Sequence, residues 1–150
     1  MSWENGVPVE ILLVEDSAGD VRLTKEALRE GKVANRLTVA HDGIEAMEML
    51  LGTNNRIALD PPYLLLVDIR MPRLDGLGLI RRIRSNPMLH RTIIFVLTTS
   101  DNDRDRTAAY DAHVAGYIVK TNAPDQFHAL AKMLEYYMLI VAPPPTQLCG

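Results

Sequence analysis

Short, mostly apolar runs in this chain alternate with segments whose apolar positions recur every three or four residues. Val9 to Val14 and Tyr63 to Val67 are runs of the first kind, and Thr92 to Leu97 and Gly116 to Val119 repeat it. Asn35 to Ala40 is a shorter run with partial alternation. Apolar runs this short that contain β-branched residues predict strands buried on both faces, as in a parallel sheet under helices. The segments between them predict helices. Ser17 to Gly31 has Ser17 or Asp20 to cap it, Ala27 and Leu28 on one face, and Gly31 as a stop. Ile44 to Leu51 places Ile44, Met47, Leu50 and Leu51 on one stripe. Leu77 to Ser85 turns Leu79, Ile80 and Ile83 inward and Arg81, Arg82 and Arg84 outward, and Asn86-Pro87 ends it. Asp101 to Ala112 is a polar helix, and Asp125 to Val141 is a long last one, closed by Pro143-Pro144-Pro145. Gly52 to Pro62 reads as a surface loop. Strand and helix alternating five times predict an α/β fold, a doubly wound five-stranded parallel sheet with right-handed crossovers covering both faces. One domain, 8–141, is expected between an N-terminal tail, 1–7, and a proline-rich tail, 142–150.

Composition narrows the classes. At 150 residues the chain has room for one real core. Net charge is −3 with acids and bases interspersed, which leaves no footprint for nucleic acid or an anionic membrane. No apolar run approaches a bilayer span, and the start lacks the basic and apolar regions of a signal peptide. The single cysteine, Cys149, excludes a disulfide within the chain. A cytoplasmic location is expected.

The strand ends carry the candidate chemistry. The first buried run ends in Glu15 and Asp16, the third in Asp68, the fourth in Thr98 and the fifth in Lys120. In a parallel sheet these lie along the carboxyl edge, where open α/β folds bind their ligands. Alone, each has an ordinary explanation: a solvated acid, a strand-forming threonine, a surface lysine. Their coincidence at four strand ends is the signal. Carboxylates about 4 Å apart repel by roughly 4 kcal/mol per pair at an effective dielectric near 20. A hard divalent cation, Mg²⁺ or Mn²⁺, removes that cost. A hydroxyl and an ammonium nearby are donors for a phosphoryl group, and a carboxylate can itself be the nucleophile, forming an acyl phosphate.

These segments resemble a two-component response-regulator receiver domain. The likeness is carried by Leu13-Val14-Glu15-Asp16, by Leu66-Val67-Asp68-Ile69-Arg70-Met71-Pro72 with Asp75-Gly76, by Val96-Leu97-Thr98-Thr99-Ser100 and by Gly116-Tyr117-Ile118-Val119-Lys120. It implies a flavodoxin-like fold with strand order 2-1-3-4-5. It also implies that Asp68 is the phosphoacceptor and that Glu15, Asp16, Asp68 and the main-chain carbonyl of Arg70 surround the metal. Thr98 and Lys120 would bind phosphate, and Tyr117 would be the switch aromatic. The implied partner is a sensor histidine kinase. The chain departs from the family pattern at Thr121, where proline usually follows the lysine, and at Arg70, a long cation two residues beyond Asp68 whose head could lie over the phosphate. The Glu15-Asp16-Ser17 start, the Leu97-Thr98-Thr99-Ser100 strand end and the Lys120-Thr121 pair are similar to those of single-domain regulators paired with phytochrome-type histidine kinases.

After Val141 only nine residues follow, so output through protein contact is expected, without a DNA-binding domain. The last helix has a core stripe of Phe127, Leu130, Leu134, Met138 and Val141. A second stripe, Ala129, Met133, Tyr136 and Ile140, predicts a homodimer through the helix 4, strand 5 and helix 5 face. Ala142 to Leu148 would reach across as an arm. The chain is read as a phosphoacceptor signalling protein rather than an enzyme. A phosphorelay intermediate or phosphate sink is the near alternative. A Mg²⁺-dependent phosphatase of the haloacid-dehalogenase type would need an acid where Arg70 stands. A flavodoxin-like carrier would need a phosphate loop where Glu15 and Asp16 would repel FMN. A receiver-like scaffold that no longer takes phosphate would not need the intact set.

Overall fold

The computed structural model describes residues 2–3, 7–31, 33, 35–121, 123 and 125–145. Five parallel strands form the sheet: β1 (Glu10–Val14), β2 (Leu37–Ala40), β3 (Tyr63–Val67), β4 (Ile93–Thr98) and β5 (Gly116–Val119). Their spatial order is β2-β1-β3-β4-β5, the flavodoxin-like arrangement. The helices are α1 (Ala18–Glu30), α2 (Gly43–Leu51), α3 (Gly76–Ser85), α4 (Asp103–Asp111) and α5 (Gln126–Ile140).

Register positions the site. Val14 lies beside Ala40 and Val67, Val67 beside Val96, and Thr98 beside Val119. The strands therefore end nearly level, and Glu15, Asp68, Thr98 and Lys120 fall on one edge. Successive side chains go to opposite faces. Leu65, Val67, Ile94 and Val96 pack with Leu79, Ile80 and Ile83 of α3. Leu64, Leu66, Phe95 and Leu97 pack with Ala27 and Leu28 of α1 and Leu130, Leu134 and Met138 of α5. Both faces are buried, so the strands read as continuous apolar runs.

Side-chain caps start four of the helices. Ser17 accepts from the Asp20 N–H at 3.3 Å, Asp42 from Glu45 and Asp75 from Gly78 at 2.8 Å, and Asn102 from Arg104 at 2.7 Å. Asn102 explains why α4 starts at Asp103 rather than at Asp101. Each cap satisfies an amide that the helix cannot pair.

The structure corrects the outward reading of Arg84. Its guanidinium turns back and donates to four carbonyls: Ala112, His90 and Thr92 at 2.7 Å each, and His113 at 3.0 Å. It closes the end of α4 against the loop entering β4, and burial lowers its pKa. Ser2–Trp3 pairs antiparallel with Val7–Pro8 and runs beside α5. Pro143 to Pro145 line a cavity of about 420 Å³ with Leu50, Tyr63 and Ile93. Residues 146–150, with Cys149 and the end of the expected arm, lie outside the described residues. Among the described residues no helix is long and apolar enough to cross a membrane.

Candidate functional site

The carboxyl edge of β1, β3, β4 and β5 forms an acid pocket with one ammonium inside it. Glu15 and Asp68 are buried, at 2% and 8% exposure, while Asp16 is exposed at the rim. One oxygen from each of the three carboxylates lies within 4.8 Å of the others. An octahedron with bonds of about 2.1 Å spans about 4 Å between opposite oxygens. The donors are all carboxylate oxygens, the set a hard divalent cation prefers. Glu15, Asp16 and Asp68 fit such an ion.

Lys120 enters from the end of β5, and its side chain is 6% exposed. Its Nζ donates to Glu15 Oε1, and to Asp20 Oδ2 at 2.8 Å, and stands 3.7 Å from Asp68 Oδ2. Burial, the largest influence, raises Glu15 to a pKa of about 7; the Lys120 hydrogen bond opposes this and Asp68 adds to it. For Lys120 burial works downward, but the hydrogen bonds to Asp20 and Glu15 and the charges of Asp68 and Glu15 outweigh it and raise the pKa.

Thr98 is fully buried at the end of β4, and its hydroxyl accepts from the Ser100 N–H at 3.2 Å. Tyr117 lies on β5, half-buried, and its hydroxyl donates to the Ser100 carbonyl at 2.8 Å. The Arg106 guanidinium carbon is 5.7 Å from the Tyr117 ring centroid, within cation–π range. The threonine and the tyrosine thus meet at one residue, Ser100.

Arg70 is tied by both ends. Its N–H donates to Asp68 Oδ1 at 3.4 Å, and its guanidinium donates to Asp105 Oδ2 on α4 at 3.0 Å, so its head lies on α4. Among the described residues the cis peptide bond is Pro61–Pro62, so Lys120–Thr121 is trans. The loop after Lys120 is held by Gln126, which accepts from the Thr121 N–H at 2.7 Å and donates to the Val119 carbonyl at 2.5 Å.

Gly76 closes the floor. A Cβ there would come within 2.1 Å of the Asp68 carbonyl oxygen, so only glycine lets α3 start this close to the strand end.

Sequence reasoning missed Asp20, Ser100, Asp105 and Gln126. Asp20 had a faint signal, an acid in the first turn of α1 directly after the strand end. Ser100 and Gln126 bond near neighbours in the chain, Thr98 and Thr121, whereas Asp105 meets Arg70 only where α4 packs beside the turn after β3. On α5, Tyr136 and Ile140 are 56% and 76% exposed, Ala129 is exposed, and Met133 is half-buried against the core.

A level parallel edge bearing an acid trio, a buried threonine and an ammonium defines a response-regulator receiver domain. The profile of that domain matches residues 11–132, and the chain belongs to this family. It is similar to response regulator Rcp1 of Synechocystis sp., with 36% identity over 145 residues, 96% of this chain and 99% of that protein. The phosphorylated cyanobacterial phytochrome response regulator RcpA has the same fold, with a TM-score of 0.84 and 34% identity over 93% of this chain and 100% of that one. The Mn²⁺-bound form of Rcp1 gives a TM-score of 0.82 at 34% identity, covering 92% of this chain and 100% of that one.

Proposed function

We propose that the protein accepts a phosphoryl group on Asp68 from a sensor histidine kinase and passes the signal on through protein contacts. One observation carries the reading: Lys120 Nζ lies 3.7 Å from Asp68 Oδ2, inside a trio of carboxylates that fits a divalent cation. Glu15, Asp16, Asp68 and the main-chain carbonyl of Arg70 would hold Mg²⁺ or Mn²⁺. When bound, the ion offsets the charge of the carboxylates and of the transferring phosphoryl group.

An Asp68 carboxylate oxygen attacks the phosphorus of a phosphohistidine. The P–N bond breaks, its electron pair stays on the imidazole nitrogen, and an acyl phosphate forms. The product carries about −1.5 to −2 charges where one stood. Lys120 exchanges Asp20 and Glu15 for phosphoryl oxygens, and Thr98 turns its hydroxyl inward. Movement of Thr98 loosens Ser100, which holds the Tyr117 hydroxyl, so the α4–β5 face changes. Incubation with acetyl phosphate and Mg²⁺ followed by intact mass tests this. Wild type gains one phosphoryl group and Asp68→Asn gains none; equal labelling of the two would refute Asp68 as the acceptor.

A phytochrome-type kinase is the proposed donor. It is supported by the 36% identity that extends over 99% of Rcp1 and by the likeness to RcpA, a phytochrome response regulator. Phosphotransfer from a phytochrome-type kinase at least tenfold faster than from unrelated histidine kinases is expected.

Homodimerisation through α5 is proposed on the exposure of Tyr136 and Ile140, with Leu139 adding 65% exposure beside them. Met133 is a poor probe because it packs on the core. Sedimentation of wild type should give a dimer and of Tyr136→Glu/Ile140→Asp a monomer. An unchanged mass rejects this face.

A further inference from the structure

Neither the metal cluster nor the proposed phosphoryl contacts account for Asp105. Its side chain is 15% exposed, and one oxygen, Oδ2, accepts from Ser100 Oγ at 2.6 Å and from the Arg70 guanidinium at 3.0 Å. Ser100 lies in the turn after β4. Arg70 lies in the turn after β3, 35 residues from Asp105 in the chain. Asp105 is fixed in the first turn of α4, where its N–H donates to Asn102 Oδ1 at 3.4 Å. Arg70 therefore has its amide on the Asp68 carboxylate and its guanidinium, with the side chain 64% exposed, on an acid of α4.

Charge decides what this arrangement does. One ammonium, Lys120, already serves Glu15, Asp20 and Asp68. A phosphoryl group on Asp68 adds about one further negative charge, and the described residues bring no second cation into contact with Asp68. Arg70 is the cation whose backbone already touches that carboxylate. A mostly exposed ion pair is weak and screened, so its guanidinium changes partner easily. Its planar fork matches phosphoryl oxygens better than a point charge does.

We infer that Asp105 is a positioning residue for phosphotransfer: it holds the Arg70 guanidinium beside the pocket, in reserve, and Arg70 swings from it to the phosphoryl oxygens as a second cation with Lys120. The inference rests on Asp68 being the phosphoacceptor. It makes the Arg70–Asp105 pair the contact given up when a phosphodonor enters. Ser100 keeps its bond to Asp105, so the first turn of α4 loses one tether and retains another.

A two-residue cycle tests it, with acetyl phosphate as the probe, Mg²⁺ present, and the labelling rate read by intact mass against donor concentration. Asp105→Asn keeps an oxygen for Ser100 and removes the charge, so it frees Arg70. It should lower the half-saturating concentration roughly threefold with little change in maximal rate. Arg70→Gln should raise it roughly threefold, and Arg70→Lys should restore part of the loss. In the Arg70→Gln background, Asp105→Asn should then have no effect, because the two residues act through one contact. If the Asp105→Asn effect persists without Arg70, or if Arg70→Gln leaves the half-saturating concentration unchanged, the inference is overturned alone. A wild-type protein that takes no phosphoryl group overturns the phosphoacceptor reading and this inference with it.

Discussion

A single ammonium answers three carboxylates at Lys120, and the burial of one of them, Glu15, sets the pH behaviour of the site. The folded-state pKa of Glu15 is about 7, raised from 4.5. The native state therefore holds a proton there that the unfolded chain releases first. Its contribution to stability is present below about 4.5 and lost as pH rises through about 7. Lys120 is also raised, so its contribution is fully present below 10.5 and does not vary in this window. The urea midpoint of metal-free protein should fall between pH 4.5 and pH 7, and Glu15→Gln should flatten that slope. Saturating Mg²⁺ should raise the midpoint at pH 7.5 in wild type, through the carboxylates it binds, and much less in Glu15→Gln. At Gly76 the constraint is steric. A methyl group there meets the Asp68 carbonyl oxygen at 2.1 Å, so Gly76→Ala should cost about 1–3 kcal/mol in urea denaturation and slow labelling of Asp68.

At the level of elements, α3 and α4 are joined by a residue whose position along the helix gave the wrong answer. Helical spacing turns Arg84 to solvent, yet its fork reaches the C-terminal end of α4 and the loop entering β4. The helix dipole favours a cation at that end of α4. Removing Arg84 leaves four carbonyls without this donor. Arg84→Ala should cost about 2–3 kcal/mol, measured by urea unfolding. Arg84→Lys should recover little of it, since an ammonium lacks the fork. The opposite end of α4 carries Asp105 and Arg106, facing Arg70 and the Tyr117 ring. One end of this helix is clamped and the other rests on contacts that the proposed phosphorylation of Asp68 would change. Its N-terminal amides should therefore exchange hydrogen faster after phosphorylation while its C-terminal amides do not.

Over the whole molecule, the alternation of apolar runs and amphipathic segments determined the fold class, the five strands and helices, and the residues at the strand ends. Those properties are local: a run buried on both faces must be apolar throughout, and the residue ending it must sit at an edge. The groups of Glu15, Asp16, Asp68, Thr98 and Lys120 were legible for that reason, and the resemblance they carry was enough to name the family. Tertiary structure alone decided the partners. Asp20 reaches Lys120 across a separation of 100 residues, Asp105 reaches Arg70 across 35, and Arg84 reaches His113 across 29. These pairings depend on strand register and on the angle at which each helix leaves its strand, and neither is written in the spacing of residues along one segment. A side chain's type says what bonds it can make; only the packed chain says which atoms come close enough to make them.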